Sequence, residues 1–345
     1  MDTAYKTTLE LDKVLNRAVQ LCACQETKEM MQALEPAPTI EDERYDLTQT
    51  NAINALLIKN GSPRFGSVRE VRRIVAHARK GGILSMGELL EIAATLRNFS
   101  GLSQWYGLSE HEMLPTDDLF FALAPQPVLE KQIGECIISP EEMADTASVT
   151  LRDLRRKIRA TEDSIRTKLD AIIKNSTTNK FLQDAVVSIR NGRYVVPVRA
   201  EYRGEVGGVI HDVSSTGSTV FVEPTAVVEA NARIMQLHAQ EQEEITRILT
   251  AFSGQVASLE PQFSYSYDAM LQIDLLLAKA RLAVEQARQQ AETEAGAMMA
   301  EAEAQARAWA QEVLEQARQG CEARKAQMRS RLDEAAAFLV EKVVS

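Results

Sequence analysis

The sequence predicts a mainly α protein: a helical core, two long antiparallel helices carrying a small antiparallel β unit, and a C-terminal extended helix. Three observations support this. The 345 residues are only 5% aromatic and abound in Ala, Leu, Glu, Gln and Arg, which lose little rotamer freedom in a helix. One stretch alone, Asp184 to Pro224, sets β-branched residues in alternation between turn signals. The last 62 residues contain 16 alanines and no proline, a composition that favours one long helix.

Residues 1–135 read as a helical core domain. Leu9, Leu11, Val14, Leu15 and Ala18 put an apolar face at helical spacing. Pro36 and Pro38 end the helix that follows. Ser67-Val68-Arg69-Glu70 is a capping-box start after the breaker run Gly61–Gly66, and Gly81-Gly82 is its stop. Ser85-Met86-Gly87-Glu88 starts the next helix in the same way. Pro115, Pro125 and Pro127 mark a looser connection.

Residues 136–180 read as an ascending helix. Ser139-Pro140-Glu141-Glu142 is its expected start, with Ser as cap and Pro in the first turn. Leu151, Leu154, Ile158, Thr161, Ile165, Leu169 and Ile172 then form a coiled-coil-like seam. A helix from Pro140 to Lys174 is about 50 Å long, so a second long helix should pack beside it. Asn175–Asn179 breaks it.

Residues 181–224 read as the β unit. Asn191-Gly192 is a two-residue hairpin turn between Val187-Ser188-Ile189 and Tyr194-Val195-Val196. Thr216-Gly217-Ser218 is a second turn, before Thr219–Val222. Residues 225–283 form the return helix, with Ile234, Leu237, Ile245, Ile248, Phe252 and Leu259 on one side and a break at Pro261. In residues 284–345, Leu314, Cys321, Met328 and Ala335 fall seven apart, beside Leu332 and Leu339, which predicts a coiled-coil-like helix needing a partner.

A 45% hydrophobic and 26% charged composition excludes wholesale disorder. No run of 18 apolar residues exists, so no membrane span is expected. The start MDTAYKTTLELDKVL lacks an apolar signal core, which predicts a cytoplasmic protein. Cys22, Cys24, Cys136 and Cys321 have neither redox nor zinc spacing and read as reduced thiols. The net charge of −10 is unevenly spread: Arg152–Gly204 holds 13 Lys/Arg against 6 Asp/Glu, or +7, leaving −17 elsewhere. A basic middle in an acidic chain is a candidate footprint for nucleic acid.

Within that middle, Arg190, Arg193, Tyr194, Arg199, Tyr202 and Arg203 occur inside 14 residues, and Lys174 and Lys180 extend the positive surface. Cations neutralise phosphates and aromatic rings stack on unpaired bases. Strand alternation puts Arg199 and Arg203 on one face and Tyr194 and Tyr202 on the other. The alternative is that Arg190 and Arg193 are hairpin-turn residues and the tyrosines belong to the core. His211-Asp212 reads as a hydrogen-bonded hairpin pair, since His77, His111 and His238 are scattered and offer no metal site. Ser214, Ser215, Thr216, Ser218 and Thr219 cluster at a turn, where hydroxyls bond to backbone, and no GxSxG elbow is present. No catalytic residue is expected.

The runs GSPRFGSVREV, RKGGILSMGELLEIAATLR and FLQDAVVSIRNGRYVVPVRAEYRGEVGGVIHDVSSTGSTVFVEP resemble the bacterial MutS family of the second type, from about Leu9 to Ala283. That branch lacks the mismatch-reading domain and usually carries a C-terminal Smr nuclease domain. The resemblance implies a core, lever helices and a clamp at their tips. It implies a clamp that grips branched or recombining DNA or stalled ribosomes, in dimers driven by an ABC-type ATPase. The chain departs from the pattern after LLLAKARLAVE: it has no GxxxxGK[ST] run and no GK dipeptide. ATP and Mg²⁺ are therefore expected to belong to an ATPase domain that it lacks, and the chain itself is not expected to be an enzyme. Its ending, DEAAAFLVEKVVS, resembles the Ala/Glu-rich peripheral-stalk subunits of V/A-type rotary ATPases, and the two resemblances imply either a natural truncation and fusion or the product of a disrupted or misassembled gene. The expected partners are branched DNA or the ribosome and its rRNA, together with a second copy or a coiled-coil partner. The alternative function is a structural interaction protein that associates through the tail.

Overall fold

The computed structural model describes residues 10–66, 68–108 and 110–344. The chain divides into two compact units, residues 1–280 and 281–345.

The first unit begins with helices α1 (Leu11–Leu21), α2 (Gln25–Gln32), α3 (Ile40–Asn60), α4 (Arg72–Arg79) and α5 (Met86–Tyr106). On α1, Leu15 and Ala18 are buried while Val14 stays exposed; Leu9 lies outside the described residues. Ser67 also lies outside them, and α4 begins at Arg72 after Val71. The expected capping box at Ser85 is present, with Ser85 Oγ accepting from Glu88 N and Glu88 accepting from Ser85 N. Helix α5 is the centre of this core: Leu89, Ile92, Leu96, Phe99 and Leu102 are at most 1% exposed. Asp274 is fully buried and accepts from Ala23 N and Cys24 N just before α2. Burial, reinforced by this carboxylate, pushes the Cys24 thiol up to about 12, so Cys24 is inert.

Helices α6 (Asp117–Phe121) and α7 (Pro127–Cys136) lead into a small hairpin, β1 (Ile137–Ser139) and β2 (Glu142–Met143). Ser139-Pro140-Glu141-Glu142 is therefore a hairpin turn and not a helix start, with Ser139 paired to Glu142. Ser and Pro suit the first two positions of a tight turn as well as the first positions of a helix. Burial of Ile137 and Met143 on the helical core decides for the turn.

The ascending helix α8 runs Val149–Lys174, which is about 39 Å rather than 50 Å. Ser148 is its cap, accepting from Leu151 N at 2.9 Å and donating to Glu244 at 2.7 Å. After the short α9 (Ser176–Asn179) comes a four-stranded antiparallel sheet: β3 (Ser188–Arg190), β4 (Arg193–Arg199), β5 (Gly208–Val213) and β6 (Thr219–Pro224), in the order β3-β4-β6-β5. Both expected turns are present. Asn191 and Gly192 take positive φ, 52° and 73°, between paired Arg190 and Arg193. Gly217 N donates to Ser214 O between β5 and β6.

The return helix α10 (Val228–Ser258) packs against α8, and α11 (Glu260–Val344) follows after Leu259 alone. Pro261 sits in the first turn of α11, where its missing N–H costs nothing. The helical backbone does not break near residue 284.

Two hydrophobic clusters result. One joins the helical core to Leu151, Ile248, Phe252 and Val256 at the base of the paired helices. The other joins Leu154, Ile158, Ile165, Leu169 and Ile173 to Val196, Val198, Val220 and Val222 of the sheet, and to Ile234 and Leu237. Arg155 clamps the base, donating to Asp145, Met143 O and Glu241, each at 2.7 Å. This ion pairing holds the Asp145 carboxyl below its ordinary range.

Candidate nucleic-acid interface

The eight candidate residues fall at two ends of the sheet. At the Asn191-Gly192 end are Arg190, Arg193 and Tyr194. At the other end are Lys174, Lys180, Arg199, Tyr202 and Arg203.

The first end is structural. Glu223 on β6 is 1% exposed. Arg193 donates to it at 3.1 and 3.2 Å, Asn231 at 2.8 Å, and the His211 Nε2 hydrogen-bonds to it as well. Strand β6 ends at Pro224, so the ladder beside Tyr194 has no strand partner there. The Asn231 amide takes that place, accepting from Tyr194 N at 3.1 Å and donating to Tyr194 O at 2.9 Å. Tyr194 is 7% exposed, sits in the sheet cluster, and donates its hydroxyl to Glu162 at 3.1 Å. Its ring is unavailable for stacking on bases. Arg190 lies over the Phe221 ring at 4.1 Å and pairs with Asp212 at 3.3 Å. The turn-and-core alternative therefore describes Arg190, Arg193 and Tyr194.

The second end presents charge to solvent. Phe181 O accepts from Arg199 N at 2.9 Å, and Leu182 bridges Val198, which draws Lys180 beside the end of β4. Strand β4 stops at Arg199, and residues 200–202 form a single 3₁₀ turn, so Arg203 is not on the strand. The expectation that Arg199 and Arg203 share a strand face is corrected accordingly; Arg203 follows the turn, its N–H donating to Ala200 O. Tyr202 is half-buried, with its ring 5.2 Å from that of Phe181, and belongs to the edge of the sheet cluster. Lys180, Arg199 and Arg203 are exposed. Among the described residues none of the three pairs with a carboxylate. Lys174 is also exposed and pairs with Asp170 at 3.3 Å.

The hydroxyl-rich turn adjoins this end, since Ala200 N donates to Ser218 O. As expected, its hydroxyls serve the turn: Ser214 Oγ accepts from Thr219 N, and Thr216 bonds to Ser218. His211 is likewise a hydrogen-bonded hairpin residue. Among the described residues, no group of three or more His, Cys, Asp or Glu could hold a metal ion. No helix among them is long and apolar enough to cross a membrane.

Sequence reasoning missed Glu223 and Asn231. The available signal was a carboxylate directly after the run Thr219–Val222 and before Pro224, which a buried position permits only beside a cation.

No family model matches the chain. Curated proteins do. The endonuclease MutS2 of Ruminiclostridium cellulolyticum is 36% identical over 287 residues, 83% of this chain and 36% of that protein. The endonuclease MutS2 of Agathobacter rectalis is 39% identical over 282 residues, 81% of this chain and 35% of that protein. That of Geobacillus thermodenitrificans is 37% identical over 279 residues, covering 80% and 36%. The chain thus spans about a third of the length of these relatives. Through that shared segment the chain belongs to the MutS2 family.

Proposed function

We propose that this chain grips the phosphate backbone of branched DNA or of ribosomal RNA at the cationic end of its β unit. One observation carries the reading: Lys180, Arg199 and Arg203 lie at one end of the sheet, exposed and, among the described residues, without carboxylate partners. Lys174 extends the same surface. Backbone contacts of this kind select shape rather than base sequence. On this reading the chain supplies grip and not ATP or Mg²⁺ chemistry, because its sequence holds no GxxxxGK[ST] run. The endonuclease activity named for the relatives is theirs.

The test is equilibrium binding of the full chain to a four-way DNA junction, to linear duplex and to ribosomes across a salt series. The triple variant K180Q/R199Q/R203Q should bind the preferred target about tenfold or more weakly. Its log–log salt slope should be shallower by about 3. Affinity indifferent to salt, or unchanged in the variant, overturns the reading.

A second reading, an interaction protein that associates through residues 284–345, is favoured by the exposure of Met298, Trp309, Leu314 and Leu332 on that helix.

A further inference from the structure

Every residue from Gln286 to Val340 is exposed on the second unit's helix. Its apolar residues, alanines with Met299, Val313, Met328, Leu332 and Leu339 among them, are regularly placed. Ala310, Cys321 and Leu332 stand eleven apart, and so do Ala317, Met328 and Leu339. Steps of four, four and three link these series into one stripe from Ala295 to Leu339, and Arg324 is its one charged position. The seven-residue series through Leu314 and Cys321 is shorter, because one step back it meets Arg307. An eleven-residue repeat keeps its seam in line only if the helices coil right-handedly.

Charge along the same helix is segregated. Residues 292–315 hold six Glu and one Arg, or −5; residues 316–331 hold five Lys/Arg and one Glu, or +4. Two such helices side by side in parallel would set acid against acid and base against base. Reversing one of them sets each acidic block against a basic block.

We propose that two copies of this chain pair antiparallel through residues 292–331, forming a right-handed two-helix coil along the apolar stripe. The stripe supplies the buried area and the charge blocks select direction and partner, as charged flanks do in other coiled coils. The proposal rests on the second reading above, association through the tail, and adds the partner and its orientation. It is independent of the cationic end of the β unit.

The experiment uses the full chain in sedimentation at low and high salt, joined to disulfide mapping through exposed Cys321. The expected result is a dimer that dissociates as salt rises. R324E/K325E/R329E/R331E should be monomeric, as should E292K/E294K/E301K/E303K, and mixing the two should restore a dimer. Mild oxidation should leave Cys321 unlinked to its counterpart. A cysteine introduced as A306C should instead link to Cys321 of the other copy, since that position faces it when the centres of the blocks are matched, whereas V313C, seven residues further along, should not. A full chain that stays monomeric at low salt overturns the proposal and leaves the association reading only a partner other than a second copy. A Cys321–Cys321 disulfide dimer overturns the antiparallel arrangement alone and leaves association standing. A dimer unaffected by either charge reversal also overturns the proposal.

Discussion

Arg193 and Arg199 lie on the same strand six residues apart, so the pleat gives both side chains the same face. Nothing local in the sequence separates their roles. The partner strand does: Arg199 faces Thr219, whereas Arg193 reaches buried Glu223. Removing that carboxylate leaves Arg193 without its counter-charge and His211 without its hydrogen-bond partner. Glu223→Ala should lower stability in urea by about 3–5 kcal/mol. Glu223→Gln should cost less, because the amide oxygen still accepts a hydrogen bond. Gly208 belongs to the same assembly, since a Cβ there would come within 2.0 Å of Glu223 O. Gly208→Ala must push β5 off β6 and should destabilise the sheet, as read by thermal melting. A chain in which these changes are as mild as an exposed substitution would show that the Glu223 cluster does not hold the β unit together.

At the scale of elements, the two turns of the four-stranded sheet were legible, while the β1–β2 hairpin and the start of the ascending helix were not. Asn-Gly at residues 191–192 has few alternatives because both positions need positive φ. Ser-Pro-Glu-Glu at residues 139–142 has two, a helix start and a tight turn, and only the packing of Ile137 and Met143 chooses. The true start, Ser148, was hidden because its decisive bond goes to Glu244, far away in sequence. Ser148→Ala should therefore cost about 1–2 kcal/mol, while Ser139→Ala should cost no more than about 0.5 kcal/mol. Equal costs would restore the earlier start. Hydrogen bonds from Arg247 and Ser148 hold the Glu244 carboxyl at about 2, against an ordinary 4.5. A depressed carboxyl contributes stability above its unfolded value and loses it as pH falls through the folded one. Compared with Glu244→Gln, the native chain should be more stable by about 1–2 kcal/mol at pH 7, allowing for solvent screening. That margin should shrink between pH 4.5 and about 2. Urea titrations at several pH values read it directly.

At the scale of the whole molecule, the mainly α plan with one β insertion was readable because periodicity reports each element's own buried face. The interface was readable only in part. Charge counts locate a basic segment, but they do not separate cations spent on Glu223 or Asp212 from cations left to solvent. Within residues 1–280 the paired helices carry two hydrophobic clusters, with Leu151 in one and Leu154 in the other. The Arg155 ion pairs and the Ser148–Glu244 hydrogen bond tie α8 and α10 to each other and to the core at the base. The sheet therefore depends on a core of its own and should open without dissolving the helical one. Leu169 is fully buried in the sheet cluster, and Leu169→Ala should cost about 2–5 kcal/mol. Hydrogen exchange should show that cost as lost protection in β4 and β6, with α5 amides still slow. Leu96→Ala, in the other cluster, should instead release α5. If Leu169→Ala loosens both regions equally, the two clusters unfold as one, and the β unit cannot be a separately stable grip.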